Sequence, residues 1–376
     1  MPAVDDLATL AARRSDKWQQ PPGVIASTIA EMDFALAPPV AEALHRAVDR
    51  HDLGYAPAVP RGLSDAFAEF AARRLDWRVD PEQVTLVPDV MVGLIELSRV
   101  LAGPGGAVAF ATPGYPPFFR DLPQAGLEIR TLPLGGDGAL DLAALDAALA
   151  GGVRVLILAS PHNPTGRVLP RDELERIAET CAARDAWVLA DEIHAPLLLG
   201  GARHTSWLEV SEAARARGIA LTSASKAFNV AGLKTALVVT ASAGAGAAVA
   251  RLPPLSDRCG LLGVVAAEAA FADGDAWLDA VLDQLASNRA LLGERLAAEL
   301  PGVAWTPPEA TYLAWLDCRR LGLGEEPGAA FLERGRVALS RGLDYGRPGA
   351  GFVRLNFGTS PELVRETVRR MAAALT

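Results

Sequence analysis

Three short stretches of this chain carry side chains that could do chemistry, and each follows an apolar run. Ser160-Pro161-His162-Asn163-Pro164-Thr165-Gly166 comes after Val153 to Ala159. Proline holds the preceding residue extended, so Asn163 can present its amide from a stiff loop to a ligand oxygen; the plainer reading is an Asn-Pro turn. Asp191-Glu192-Ile193-His194 comes after Ala186 to Ala190. A carboxylate at the end of a buried strand is costly unless a cation or donors meet it. Asp191 is therefore either a helix cap or the partner of a bound cation or protonated ring nitrogen. Ser223-Ala224-Ser225-Lys226-Ala227-Phe228-Asn229 comes after Gly218 to Thr222. Hydroxyls and exposed backbone N–H groups at such a turn suit a phosphate. A lysine is usually a solvated surface charge, but with a depressed pKa it can condense with a carbonyl. Lys234 lies eight residues beyond Lys226 and adds a second positive charge for the same phosphate.

The elements that must position these groups alternate between strand and helix. Val153 to Ala159 (VRVLILA), Ala186 to Ile193, Gly218 to Ser223 and Thr235 to Thr240 read as strands, the first a near-continuous apolar run buried on both faces. Arg171 to Arg184 has helical spacing, with Leu174, Ile177, Ala178 and Cys181 on one face. Alternation of this kind predicts an α/β fold: a mostly parallel sheet covered by helices on both faces, with ligands at the carboxyl ends of its strands. The last third changes character. Two helices between Leu261 and Leu300 break near Asp273-Gly274. Strands at Thr311 to Leu316 and Gly351 to Phe357 follow, with a helix at Phe331 and Leu332 between them and an amphipathic helix from Pro361 to Leu375. The expected division is a large domain over residues 39–273 and a smaller α/β domain from residues 1–38 and 274–376.

Composition narrows the class. The chain has 376 residues, 50% hydrophobic and 22% charged, which excludes general disorder. A net charge of −9 argues against a nucleic-acid footprint. Mean hydropathy is +0.19, yet no uninterrupted apolar stretch of about 18 residues stands out for a membrane span. Cys181, Cys259 and Cys318 are too few and too scattered for a disulfide framework or zinc site, so no metal is expected. Together with a start that lacks an apolar signal segment, they predict a cytoplasmic protein. Gly244-Ala245-Gly246 lacks the third glycine of a dinucleotide loop, because Val249 stands there. His45, His51 and His204 sit in no motif and read as surface or helix residues.

Taken together, the strand-end residues supply an oxygen donor, a ring-nitrogen partner, a phosphate cup and a reactive lysine, in chain order. Pyridoxal phosphate requires that set. With SPHNPTG, ADEIH and SASKAFNVAGLK, the sequence resembles the fold-type-I pyridoxal-phosphate enzymes of the aspartate aminotransferase superfamily. More finely it resembles their MalY/PatB-type cystathionine β-lyase branch, where the His of DEIH stands in place of a Tyr common in aminotransferases. Asp16-Lys17-Trp18, Glu31-Met32-Asp33-Phe34, Gly54-Tyr55, Pro113 to Phe118, Ala310 to Asp317 and Phe352 to Asn356 extend the likeness over almost the whole chain. Glu31, often Asp in the branch, and Ala310, often Gly, depart from it.

The resemblance implies roles. Lys226 is the lysine that carries the cofactor and moves the substrate's Cα proton, Asp191 partners the pyridine nitrogen, and Asn163 and His194 face the ring oxygen. Tyr115 stacks on the ring. Ser223, Ser225, Lys234 and the N–H groups of Val90 and Met91, ahead of a helix from Val92 to Leu101, hold the phosphate. Tyr55 reaches the phosphate of a second subunit, which implies a homodimer with shared sites, and Arg354 grips the substrate α-carboxylate. The implied activity is cleavage of cystathionine or a related cysteine S-conjugate to thiol, pyruvate and ammonia. An aminotransferase shares the same early steps and residues. A regulatory protein that keeps the cofactor fold is a further reading, and a nucleotide-binding α/β protein is disfavoured by the missing glycine.

Overall fold

Apolar runs and the turns between them resolve into two sheets in the computed structural model, which describes residues 3–57, 59–256 and 258–375. Strand β1 (Ile25–Ser27) lies near the start of the chain. Seven strands follow: β2 (Val84–Val87), β3 (Ala107–Thr112), β4 (Glu128–Pro133), β5 (Val153–Ala159), β6 (Trp187–Asp191), β7 (Gly218–Thr222) and β8 (Ala236–Val239). They form one sheet in the order β2-β8-β7-β6-β5-β3-β4. The pairs from β7 through β4 are parallel, and β8 alone is reversed, antiparallel to both β7 and β2.

Alternation along the strands divides the interior in two. Val155, Ile157, Leu189, Ile219 and Leu221 pack with Val90, Leu94 and Leu97 of the helix Val90–Ala102. Leu156, Leu158, Val188, Ala190 and Ala220 point the other way, into a core shared with Leu174 and Ile177 of the helix Arg171–Ala183. Both faces are covered, so β5 and β7 carry almost no polar side chains. The expected helix break is present: Leu261–Asp273 and Asp275–Glu299 meet at Gly274.

The second sheet draws on both ends of the chain. Strands β9 (Ala304–Trp305), β10 (Leu313–Asp317), β11 (Val337–Arg341) and β12 (Phe352–Asn356) join β1 in the order β1-β11-β12-β10-β9. β1 pairs in parallel with β11, Ile25 opposite Val337. The exit from β12 is held by the helix Asp275–Glu299. Its fully buried Asn288 donates to the carbonyls of Phe357 (3.0 Å) and Thr359 (2.7 Å) and faces the Gln284 amide at 2.9 Å.

Removing one partner of a buried hydrogen bond leaves the other unsatisfied, at a cost of roughly 1–3 kcal/mol. Asn288→Ala orphans two carbonyls beside β12. It is expected to destabilise the protein by about 2 kcal/mol or more, read as a lower urea midpoint with unchanged slope.

Candidate active site

Strand order explains why distant residues meet. Reversal of β8 brings its amino end beside the carboxyl ends of its neighbours: Leu237 is level with Thr222 and Ala236 with Val87. Asp191 is in turn level with Leu221 and with Ala159. The turns leaving β2, β5, β6 and β7 and the turn entering β8 therefore open on one edge. A cavity of about 320 Å³ lies there. Its lining includes Val90, Met91, Tyr115, Asn163, Asp191, His194, Ser223, Ser225, Lys226 and Lys234.

Lys226 sits on the short helix Ala224–Ala227, and its Nζ donates to the Ala30 carbonyl at 2.9 Å. Burial, seconded by the charge of Arg354, pushes its pKa down to about 8. Asp191 closes β6. Burial raises its pKa to about 6, against the Ile193 N–H at 3.2 Å and the charge of Lys226. His194 is buried, and burial lowers its pKa to about 3, so the imidazole is neutral at pH 7. Its Nδ1 meets no partner among the described residues. Tyr115 precedes the helix Pro116–Gln124, standing edge-on to Phe118 with ring centroids 5.5 Å apart.

Arg354 of β12, 4% exposed, adjoins the cavity through its bond to Asn163, which lines it. Its guanidinium donates to Asn163 Oδ1 (3.0 Å), the Thr28 carbonyl (2.9 Å) and Ser340 Oγ (3.3 Å), and its buried Nε has no partner among the described residues. Arginine can only donate. It therefore fixes the Asn163 amide with oxygen toward itself and leaves the amide nitrogen for a ligand oxygen.

Around Val90 and Ser223 the structure differs in detail from the expected phosphate cup. The helix starts at Val90, two residues earlier than expected, because Asp89 caps it by accepting the Val92 N–H at 2.8 Å. Val90 and Met91 then occupy the first turn, where N–H groups have no intrahelical acceptor. Ser223 spends its one hydroxyl proton on the Thr235 carbonyl (2.6 Å) while accepting the Ser225 N–H (3.0 Å). In this arrangement it shapes the turn and has no proton left for an anion. Lys234 Nζ lies 2.8 Å from Asp89 Oδ2.

Other groups were missed by the sequence reading. Thr235 lines the cavity with a buried hydroxyl that has no partner among the described residues. Gly263 allows the close approach there, since a Cβ on it would fall 2.2 Å from that hydroxyl and 2.3 Å from the Leu233 carbonyl. Asp89 had a legible signal, an acid before an apolar helix. The Ala30 carbonyl had none, being backbone. Tyr55 is not brought to this cavity: it is 99% exposed and bridges to Gly260. His204 corrects the surface reading. It is buried, with Nε2 3.5 Å from buried Glu192, whose other oxygen accepts the Trp207 N–H.

The family model for class I and II aminotransferases matches residues 26–371. The chain belongs to this family. It is similar to a cystathionine β-lyase from Corynebacterium glutamicum, 35% identical over 98% of this chain and 99% of that one. It is also similar to cystathionine β-lyase PatB of Bacillus subtilis, 33% identical over 93% and 92% of the two chains. A crystal structure from Corynebacterium diphtheriae, named as a candidate PLP-dependent β-cystathionase, superposes with a TM-score of 0.94. It is 35% identical and covers 100% of this chain and 99% of that one. The fold is thus that of the class I and II aminotransferases. Among the described residues no helix is long and apolar enough to cross a membrane.

A carboxyl whose folded pKa is raised stabilises the fold below its unfolded pKa and loses that contribution as pH rises through the folded value. For Asp191 the window runs from about 4 to about 6. At pH 7 its ionised form in the cofactor-free protein therefore costs about 3 kcal/mol. Asp191→Asn is expected to raise the melting temperature of the cofactor-free protein at pH 7. The gain should vanish below pH 4, as checked by calorimetry across that range.

Proposed function

We propose that this member of the class I and II aminotransferase family is a pyridoxal-phosphate-dependent C–S β-lyase. It cleaves cystathionine or related cysteine S-conjugates to a thiol, pyruvate and ammonia. The observation that carries the reading is Lys226: an amine with its pKa lowered to about 8, set in one cavity with Asp191, Asn163 and Tyr115. A useful fraction is neutral at pH 7, and a neutral amine can both attack a carbonyl and accept a proton.

The residues fit the cofactor. Two polar atoms of cavity-lining residues, His194 Nδ1 and Thr235 Oγ1, are buried without partners among the described residues, which is costly unless a polar ligand meets them. Val90, Met91, Ser225 and Lys234 would hold the phosphate, and Asp191 the ring nitrogen. Asn163 and His194 would meet the ring oxygen, and Tyr115 would cover the ring. When bound, pyridoxal phosphate supplies an aldehyde for the amine and a ring that withdraws electrons.

The chain's own residues supply the rest. An ionised Asp191 favours a protonated ring nitrogen by charge pairing. Arg354 offers a fork of donors suited to an α-carboxylate, already fixed in place by Thr28, Asn163 and Ser340. Lys226 takes the Cα proton as general base. Lyase chemistry over amino transfer is supported by the β-lyase relatives and by His194 in the DEIH motif. The exposed Tyr55 suits a homodimer in which it reaches the partner's site, and the scattered cysteines suit the cytoplasm.

Purified enzyme loaded with pyridoxal phosphate is expected to release thiol and pyruvate from cystathionine in equal amounts, followed with a thiol reagent and coupled pyruvate reduction. Lys226→Ala should reduce the rate by about 10³-fold or more. Arg354→Ala should raise KM by about 100-fold. Conversion of the cofactor to its amino form without thiol release would instead assign an aminotransferase.

A further inference from the structure

Three of the 36 basic residues are lysines, Lys17, Lys226 and Lys234; the rest are arginines. Lys226 and Lys234 line the cavity, but Lys17 does not. It is 1% exposed. Its Nζ sits 2.7 Å from Asp33 Oδ1 and donates to the Glu31 carbonyl at 3.0 Å, while the Trp18 indole donates to the same Asp33 oxygen at 3.1 Å. A compact ammonium suits acceptors that converge on one point, and a planar guanidinium does not.

What Lys17 grips is the segment that bends at Ile29-Ala30, where the Glu31 N–H donates to the Ile29 carbonyl at 2.8 Å, and that passes over Lys226. The Met32 N–H donates to Asn229 Oδ1 and the Met32 carbonyl accepts from Asn229 Nδ2, each at 2.8 Å. Asn229 lies three residues beyond Lys226 and adopts φ +57°. Asn356 donates to the carbonyls of Ile29 (2.6 Å) and Glu31 (2.7 Å). Between these anchors the Ala30 carbonyl accepts from Lys226 Nζ at 2.9 Å and from the Tyr312 hydroxyl at 2.8 Å.

We propose that the Ala30 carbonyl is the fixed acceptor that aims the Lys226 amine whenever that amine is free, and that Asn229 and Lys17 are the positioning residues that hold it there. The role rests on the reading of Lys226 as the group that moves the Cα proton. Once the substrate amine has displaced it, the Lys226 amine needs one N–H anchored so that its lone pair faces Cα. A carbonyl pinned on both sides does this without adding a titrating group. The charged groups around Lys226 are Arg354, Glu31, Asp191 and Lys234. Neutral His194 and Tyr312 complete its surroundings. None of these is altered by changing Asn229.

Asn229→Gly tests the proposal, because glycine accepts the positive φ while removing both bonds to Met32. Lys17→Arg is the second variant. The first readout is acetylation of the cofactor-free full chain at pH 7, with peptide mass spectrometry distinguishing the three lysines. Loss of the acceptor disfavours the ammonium form, so Lys226 labelling is expected to rise at least about threefold while Lys234 stays unchanged. The second readout is exchange of the substrate α-hydrogen with solvent deuterium by the loaded enzyme, followed by NMR. It is expected to fall about 10-fold or more, with KM held within about twofold. Unchanged Lys226 labelling and exchange in both variants would overturn the proposal, as would a parallel rise in labelling at Lys226 and Lys234, which signals general loosening. Wild-type enzyme that exchanges the α-hydrogen but releases no thiol would refute the lyase reading and leave the positioning test intact.

Discussion

A guanidinium cannot be taken out of water without partners, and Arg354 finds them on three separate parts of the chain. Its donors reach Thr28 from the N-terminal segment, Asn163 from the turn after β5, and Ser340 from β11. One buried cation thereby ties the five-stranded sheet to the edge of the seven-stranded one. The same bonds orient the Asn163 amide and hold the N-terminal segment beside Lys226. Removing any one partner would leave buried charge poorly compensated, the costly case for groups in low dielectric.

Burial sets the charge balance at the cavity, with Arg354 adding to it at Lys226. Lys226 and Asp191 are both pushed by burial toward their neutral forms, to about 8 and about 6. Each is poised near neutrality because solvation is poor and the opposite charge is close. Such paired displacement marks a functional site more often than a structural one. The Lys17–Asp33 pair is buried too, yet its two side chains satisfy each other at 2.7 Å, as a structural ion pair does. It marks a support and not a reactive centre.

Much of the large sheet was legible along the chain. A strand buried on both faces shows as an apolar run, so β5 and β7 stood out, and the turns after them carry Asn163 and Lys226, which line the cavity. Asn163, Asp191 and Lys226 were legible from residue type and position and line one cavity, whereas Arg354, expected only from the family resemblance, bonds to Asn163. The misreadings have physical causes. Val90 begins its helix early because a cap at Asp89, not hydrophobic period, sets the start. Ser223 gives its proton to a carbonyl that only the pairing of β7 with β8 brings near. His204 lacks any local pattern that would announce burial beside Glu192.

Side-chain type and local order therefore specify the elements, the turn chemistry and the roster of reactive groups, because these depend on neighbours within a few residues. Which groups share a cavity depends on the reversal of β8, on β1 pairing with β11, and on backbone carbonyls such as that of Ala30. Every residue has a carbonyl, so no reading of residue types can single one out. Only packing selects it, by pinning the neighbouring carbonyls of Ile29, Glu31 and Met32 from Lys17, Asn229 and Asn356 at once.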